Sequence, residues 1–276
     1  MLVLYPIAAT MSTHLIYCFS TDTGGGNPAL VIEHNQDNQA QRQLIAQASG
    51  VSACVFIDRQ ADGAIVLDYF YPHTRSPLCL HATLAASHVL LASEGAPGSL
   101  HVTTAMHGQP LQLSRGDDRF FVGVVPQPVP ALTLESYLPS ELLAGQIELA
   151  SPPVIASVGS PKLLLEVPNR TVLRALRPNL ELIADWGRLH AINGCYAYCQ
   201  LEDGQYEGRN FNHLDPARED CATGVAAGAL AWHLQQSLSV QQGHVTQQPC
   251  LIEVQLQNGL VWVGGMVQTS TAIVPD

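Results

Sequence analysis

Two stretches of the chain place a cysteine in front of an apolar run of small residues. The first is SPLCLHATLAASHVLLAS (76–93), and the second is REDCATGVAAGALAWHLQQS (218–237). Neither run has a clear polar face, and this pattern predicts helices that are buried on most sides. The chain therefore has to fold around two buried helices, each with a thiol near its N-terminal end.

The two stretches superpose without a gap, which places Cys79 on Cys221, about half of the 276-residue chain further on. The order of strand and helix patterns is also similar in both halves, and a Pro-rich segment near 127–145 separates them. We predict an α+β fold of two pseudo-symmetric domains, residues 1–130 and 140–276, with the last strand free to return to the first domain.

Composition excludes several classes of partner. Hydrophobic residues make up 47% of the chain and charged residues 13%, which is enough apolar material for a large core. The net charge is −11 and no basic run occurs, so nucleic acid and anionic membranes are not expected as partners. No apolar run reaches the roughly 18 residues of a membrane span.

The N-terminus and the cysteine count indicate a cytoplasmic protein. The first residues are apolar but lack a positively charged start, so we do not expect a signal peptide, and Met11 could be the natural start after an extension of Met1–Thr10. Seven cysteines, an odd number without a secretion signal, predict reduced thiols. Cys195 and Cys199 have a spacing compatible with zinc, but no second pair follows and their segment alternates like a strand, so we predict structural thiols and no metal.

A thiol at a helix N-terminus has a chemical consequence. Unpaired backbone N–H groups and the helix dipole stabilise a thiolate and bind a carboxylate. Two such termini that face each other across a cleft could remove a proton from one face of a carbon acid and return one to the other face, without a cofactor. The alternative is that both cysteines are ordinary buried side chains.

Several motifs together resemble the phenazine-biosynthesis isomerase-like family, within the diaminopimelate epimerase and proline racemase superfamily. They are GGGNPALVI (24–32), VSACVFI (51–57), YFYPHTRSPLCLHATLAASHVL (69–90), VGSPKLLLEV (158–167), REDCATGVAAGALA (218–231) and VWVGGMV (261–267). The resemblance covers nearly the whole chain. It implies two similar α+β domains, each a sheet wrapped around a central helix, with the active site between them and no pyridoxal phosphate or other cofactor.

Departures from the family pattern bear on the chemistry. Ala53 stands where the isomerases have the Glu of S-E-T, and Cys221 replaces the Pro of E-D-P. The racemases and epimerases of the superfamily have cysteines at both thiol positions. The chain thus lacks the base of the isomerases and has both thiols of the racemases, so the resemblance implies Cys79 and Cys221 as catalytic residues.

The resemblance also implies substrate contacts. The candidates are Asn27, Leu80, His81, Asn212, His213, Asp220, Ala222, Thr223 and Gly224, with Arg75 as a further candidate. Asn212 and His213 stand where diaminopimelate epimerase has a Glu-Arg pair, which argues against diaminopimelate as the substrate.

The sequence therefore favours a cofactor-independent amino-acid racemase or epimerase that acts on a small molecule as a monomer or homodimer. Two alternatives stay open. One is a phenazine-type isomerase that moves a proton within a cyclic or unsaturated acid, with Asp220 and His81 as acid and base. The other is a non-catalytic protein that binds small acids.

Overall fold

The structure is a computed structural model that describes residues 10–212 and 219–270. The strands are β1 (Ser12–Ser20), β2 (Asn27–Glu33), β3 (Ala53–Arg59), β4 (Ile65–Tyr71), β5 (Thr74–Ser76), β6 (Ser99–Thr104), β7 (Pro110–Arg115), β8 (Arg119–Val124), β9 (Val154–Ser157), β10 (Pro161–Glu166), β11 (Cys195–Gln200), β12 (Tyr206–Phe211), β13 (Leu238–Gln242), β14 (Cys250–Gln257) and β15 (Leu260–Thr269). The helices are α1 (Gln39–Ala48), α2 (Leu80–Leu91), α3 (Leu138–Leu142), α4 (Arg170–Ala175), α5 (Leu180–His190) and α6 (Gly224–Leu234).

One part of the sheet closes into a ring of strands. Pairing runs β1-β2-β3-β4-β6-β7-β8-β15, and β15 also pairs with β1. Helix α2 contacts β1, β2, β3, β7, β8 and β15 of this ring, and most of its side chains are buried. The ring therefore supplies the apolar surroundings that a helix without a polar face requires.

The other part of the sheet continues from β15 in the order β14-β13-β12-β11-β10-β9. Helix α6 packs against β9, β10, β14 and β15, and its small residues are almost all buried. Each buried helix lies, along the chain, between two strands that pair in parallel. α2 lies between β4 and β6, and α6 lies between β12 and β13. Such crossovers place each helix on one face of the strands it connects.

Local sequence signals account for several element boundaries. Asn38 and Gln41 form a capping box at the start of α1, so each side chain bonds the other residue's backbone N–H. Asn258 and Gly259 both have positive φ at the tight turn between β14 and β15, as an Asn-Gly hairpin requires. Pro178 lies between α4 and α5, where the chain cannot continue as a helix.

The expected α+β class is confirmed as a mixed sheet with few helices. Cys195 and Cys199 lie in β11 and are buried, and none of the seven cysteines is in a disulfide. The division into domains 1–130 and 140–276, with a central helix in each, stays a prediction. None of the helices within 10–212 and 219–270 combines the length and the apolar character needed to span a bilayer.

Candidate active site

Cys79 is the N-cap residue of α2, with extended backbone at φ −143°. Its side chain is buried, and its Sγ lies 3.2 Å from Nδ1 of His81. The backbone N–H groups of Ala82 and His81 also point at this sulfur. Cys79 thus lies between an imidazole and the backbone amides at the start of a helix. These amides would stabilise the negative charge of a Cys79 thiolate.

Hydrogen bonds define which nitrogen of His81 carries the proton. The Ser52 hydroxyl lies 2.6 Å from both Asn27 Oδ1 and the Pro28 carbonyl, which can only accept, so its single proton is used there. At 3.1 Å from His81 Nε2, Ser52 Oγ must therefore accept from that nitrogen. Neutral His81 then has an unprotonated Nδ1, which can accept the proton of the Cys79 thiol.

The chain of hydrogen bonds continues to the residues in front of α6. Asn27 Nδ2 donates to Asp220 Oδ1 and to the Ala222 carbonyl, both at 3.0 Å. Thr223, the N-cap residue of α6, donates its hydroxyl proton to Asp220 Oδ2 at 2.6 Å. Asp220, Asn27, Ser52, His81 and Cys79 thus form one connected path between the starts of the two buried helices.

Two adjoining cavities open on this path. The first has a volume of about 210 Å³ and contains Cys79 and the first residues of α6 in its wall. The second has a volume of about 260 Å³ and contains Cys221, Asn27 and Ser52. Four residues line both cavities, namely Tyr71, His81, Asn212 and Asp220.

Burial disfavours the charged forms of the acid/base groups. It raises the pKa of the Cys79 thiol to about 12, although the Tyr71 hydroxyl beside it opposes the rise. Burial lowers the pKa of His81 to about 4. It also raises the pKa of Asp220, against the hydrogen bond from Thr223 and the charge of Lys162. Thiol and imidazole are therefore uncharged near pH 7, and a bound ligand has to supply the driving force for charge separation.

Cys221 occupies a different position from Cys79. Helix α6 begins at Gly224 with Thr223 as its N-cap, so Cys221 lies two residues before the cap, whereas Cys79 is itself the cap. When Cys79 and Cys221 are aligned in sequence, the starts of α2 and α6 therefore differ by two residues. A hydrogen bond with Cys250, together with burial, raises the pKa of the Cys221 thiol.

The predicted site residues fall into four groups. Leu80, His81, Asn212, Asp220, Ala222, Thr223 and Gly224 line the first cavity with Cys79, while Asn27 and Cys221 line the second. Arg75 lines neither cavity, because its Nε bonds Asp68 Oδ1 at 2.8 Å. His213 lies outside the described residues. Ala53 is buried in β3 and offers no proton-carrying group.

Sequence reasoning missed several residues of the site, among them Tyr71, which lines both cavities. Ser52 connects Asn27 to His81, and Gln242 Nε2 donates to the Asp220 carbonyl at 2.8 Å. Lys162 lines the first cavity. A signal was present for Lys162, since it is the only lysine in the sequence. No local pattern distinguishes Ser52 or Gln242 from other polar residues. The described residues contain no cluster of three or more potential metal ligands.

Comparison with known proteins agrees with this architecture. The family model described as phenazine biosynthesis-like protein matches residues 16–261. A trans-2,3-dihydro-3-hydroxyanthranilate isomerase of Pseudomonas aeruginosa is 29% identical over 234 residues, which cover 83% of this chain and 81% of the relative.

Solved structures have the same fold. A phenazine biosynthesis protein of Bacillus anthracis superposes with a TM-score of 0.78 at 19% identity, covering 95% of this chain and 98% of that one. A hydroxyproline epimerase from Agrobacterium vitis superposes with a TM-score of 0.61 at 14% identity, covering 94% of this chain and 91% of that one.

The relatives in sequence are isomerases, and the groups around the two cavities are suited to proton transfer. The alternative of a non-catalytic binding protein is therefore not retained. The chain belongs to the phenazine biosynthesis-like family and is an isomerase.

Proposed function

We propose that the protein inverts the α-carbon of a small amino acid by proton transfer, without a cofactor, as a racemase or epimerase with reduced thiols in the cytoplasm, whether as a monomer or as a homodimer. The observation that carries this proposal is Cys79 with His81 at the start of α2, in the wall of the same cavity as the first residues of α6.

The hydrogen bonds of Cys79 support an acid/base role for its thiol. His81 Nδ1 accepts the thiol proton, and the amides at the start of α2 stabilise the resulting thiolate. The thiolate then removes the α-proton, while the N–H groups at the helix starts stabilise the negative charge that develops on the substrate carboxylate. Leu80, Ala222, Thr223 and Gly224 line this carboxylate position.

The group that returns the proton on the opposite face is either Cys221 or Asp220. Cys221 matches the two-thiol chemistry implied by the family resemblance. Asp220 is favoured by its position, because it lines both cavities, and burial raises the pKa of its carboxyl. Cys221 lines only the second cavity.

The second candidate function is migration of a proton within a cyclic or unsaturated acid. The relative that is a hydroxyanthranilate isomerase favours it, and so does the hydrogen-bonded path between Asp220 and His81. In this case the imidazole and the carboxyl are the acid/base pair, and Cys79 only positions His81.

Proton NMR in deuterated water tests these alternatives. The reduced enzyme is mixed with a panel of L- and D-amino acids, and loss of the α-proton signal is followed for the wild type, C79S, C221S and D220N. We expect C79S to slow exchange about 100-fold or more, in line with the usual contribution of one acid/base residue. C54S is the matched control, because Cys54 is a buried thiol in β3 that lines neither cavity.

Each pattern of results selects one mechanism. Loss in both C79S and C221S supports the two-thiol racemase, whereas loss in C79S and D220N with an active C221S supports the Cys79/Asp220 pair. Exchange in cyclic or unsaturated acids but in no amino acid supports the second function. Full activity of C79S with an amino-acid substrate contradicts a catalytic Cys79.

A further inference from the structure

Lys162 is the only lysine in the chain, and it is fully buried. Lysine is among the residues that are least often buried without a partner. Within the described part of the chain, its Nζ has no hydrogen-bond partner. A group of this kind calls for an explanation, because an unpaired ammonium inside a protein costs several kcal/mol.

The strand that carries Lys162 directs it toward the site. Side chains alternate along β10, so Lys162 and Leu164 share one face. Leu164 belongs to the core cluster that contains α6, whereas Leu163 and Leu165 belong to the cluster on the other face. Lys162 thus points to the α6 side of the sheet and lines the first cavity with Cys79 and Thr223.

Among residues 10–212 and 219–270, no side chain or backbone group accepts a hydrogen bond from this amine. The charge of Asp220 favours the protonated amine, but both oxygens of this carboxylate already accept hydrogen bonds from Asn27 and Thr223. The Cys195 thiol is the other titratable group that acts on Lys162. The same cavity contains a second orphan atom, Asn193 Oδ1, which is buried and accepts no hydrogen bond from the described residues.

A donor and an acceptor that both lack a partner in one cavity define the chemistry of the missing ligand. The amine calls for an anionic acceptor, and the amide oxygen calls for a nearby N–H or O–H donor. We propose that Lys162 is the counter-ion of the substrate carboxylate and that the substrate is an acid with an amino or hydroxyl group close to that carboxylate.

This inference rests on the proposed function for the location of the substrate site. Its test measures binding at Lys162 and does not require catalysis. Lys162 would add one full charge to the backbone amides that face the same carboxylate. It would therefore act in binding and in stabilising the enolate-like form, rather than in moving the proton. An acid is then distinguished from its neutral amide chiefly by Lys162.

The single lysine makes a direct experiment practical. Untagged protein labelled with 13C at lysine Cε gives one side-chain lysine resonance, so the Lys162 signal needs no assignment. This resonance is followed by NMR while L-amino acids and 2-hydroxy acids are added. The amide of each acid is added to a parallel sample, for example L-prolinamide in parallel with L-proline. We expect at least one acid to shift the resonance and to raise the pH midpoint of its titration, while the amides leave both unchanged.

Two variants complete the test. K162M removes the charge but keeps an unbranched side chain, and we expect it to bind the acid about tenfold more weakly or worse. R188M is the matched control, because Arg188 is an exposed cation on α5, and it should bind like the wild type. A resonance that no acid moves, or that acids and amides move equally, would overturn the proposal.

The outcome can be separated from that of the proposed function. An acid that shifts the Lys162 resonance but shows no α-proton exchange supports the carboxylate site and contradicts the racemase. Exchange of the α-proton without any shift of the Lys162 resonance supports the racemase and contradicts the carboxylate site at Lys162.

Discussion

Ser52 holds the two sides of the site in one hydrogen-bonded arrangement. It accepts from His81 Nε2 and donates toward Asn27, which in turn donates to Asp220. The tautomer of His81, and hence its ability to accept the Cys79 proton, depends on this hydroxyl. A residue of this kind acts through its neighbours and does not itself need to touch the substrate.

Replacement of Ser52 by Ala is therefore expected to lower kcat about 10- to 100-fold, because the Nε2–H tautomer of His81 loses its acceptor. The pH profile of kcat should shift as well, since the imidazole that accepts the thiol proton changes its surroundings. S237A is the control, because the Ser237 hydroxyl accepts from the Leu256 N–H and lines neither cavity. An S52A enzyme with unchanged kcat and pH profile would remove Ser52 from the mechanism.

The buried amine of Lys162 also makes the stability of the protein depend on pH. Burial lowers the pKa of its amine to about 8, below the roughly 10.4 of an exposed lysine. Between these two values the unfolded chain binds more protons than the folded one, so this group makes the wild type more stable as the pH rises. Below about pH 8 the folded protein carries the full cost of the buried charge.

We accordingly expect K162M to be more stable than the wild type at pH 7, by about 1–3 kcal/mol in the free energy of unfolding. The difference should shrink toward pH 10, where the wild-type amine is neutral in the folded protein. Urea unfolding at both pH values measures this. A K162M protein that is less stable at pH 7 would show that Lys162 has a structural role.

At the scale of elements, strands β11, β12 and β13 support the segment in front of α6. Tyr196 in β11 donates its hydroxyl to Gln242 Oε1 in β13 at 3.2 Å. Gln242 Nε2 in turn donates to the Asp220 carbonyl and to Thr223 Oγ1. The position of Asp220 thus depends on strands that do not themselves line a cavity at these points.

Gly208 in β12 provides a test of this support. A Cβ at Gly208 would lie 2.1 Å from the Tyr196 hydroxyl, which is fully buried and cannot move without disturbing Gln242. We expect G208A to lower the free energy of unfolding by about 1–3 kcal/mol and to reduce the rate of α-proton exchange. In G98A the new methyl group meets open space, so stability should stay within about 0.5 kcal/mol. Unchanged exchange in a destabilised G208A would limit the role of these strands to folding.

At the scale of the whole molecule, β15 joins the two parts of the sheet. It pairs with β8 and β1 of the ring and also with β14, the first strand of the other part. β15, the last strand of the described residues, therefore completes the surroundings of the first buried helix.

A fragment of residues 11–130 lacks β15, so β1 and β8 would each keep an unpaired edge, a common cause of aggregation. We expect this fragment to be aggregated or unfolded when produced alone and to become soluble when residues 131–276 are produced with it. Size-exclusion chromatography and circular dichroism measure the difference. A monomeric, folded fragment would show that residues 11–130 fold independently of the rest of the chain.

Much of this molecule follows from local patterns in the sequence. The uniformly apolar runs determine two buried helices, the Asn-Gly pair determines the final hairpin, and the alternation around Cys195 determines a strand. The motif around Cys79 and His81 also indicates the first half of the site, because these residues are neighbours in the chain.

Only the tertiary structure determined the other half. Asn27 bonds Asp220 and Ala222 across more than 190 residues, Cys221 lies against Cys250, and Arg75 turns away to Asp68. No local pattern encodes such contacts, because they depend on how strands from distant parts of the chain pair. The sequence by itself determined which segments are buried and which carry reactive groups. The pairing of the strands decided which of those groups meet, and it left Lys162 facing a cavity with no hydrogen-bond partner among the residues that the structure describes.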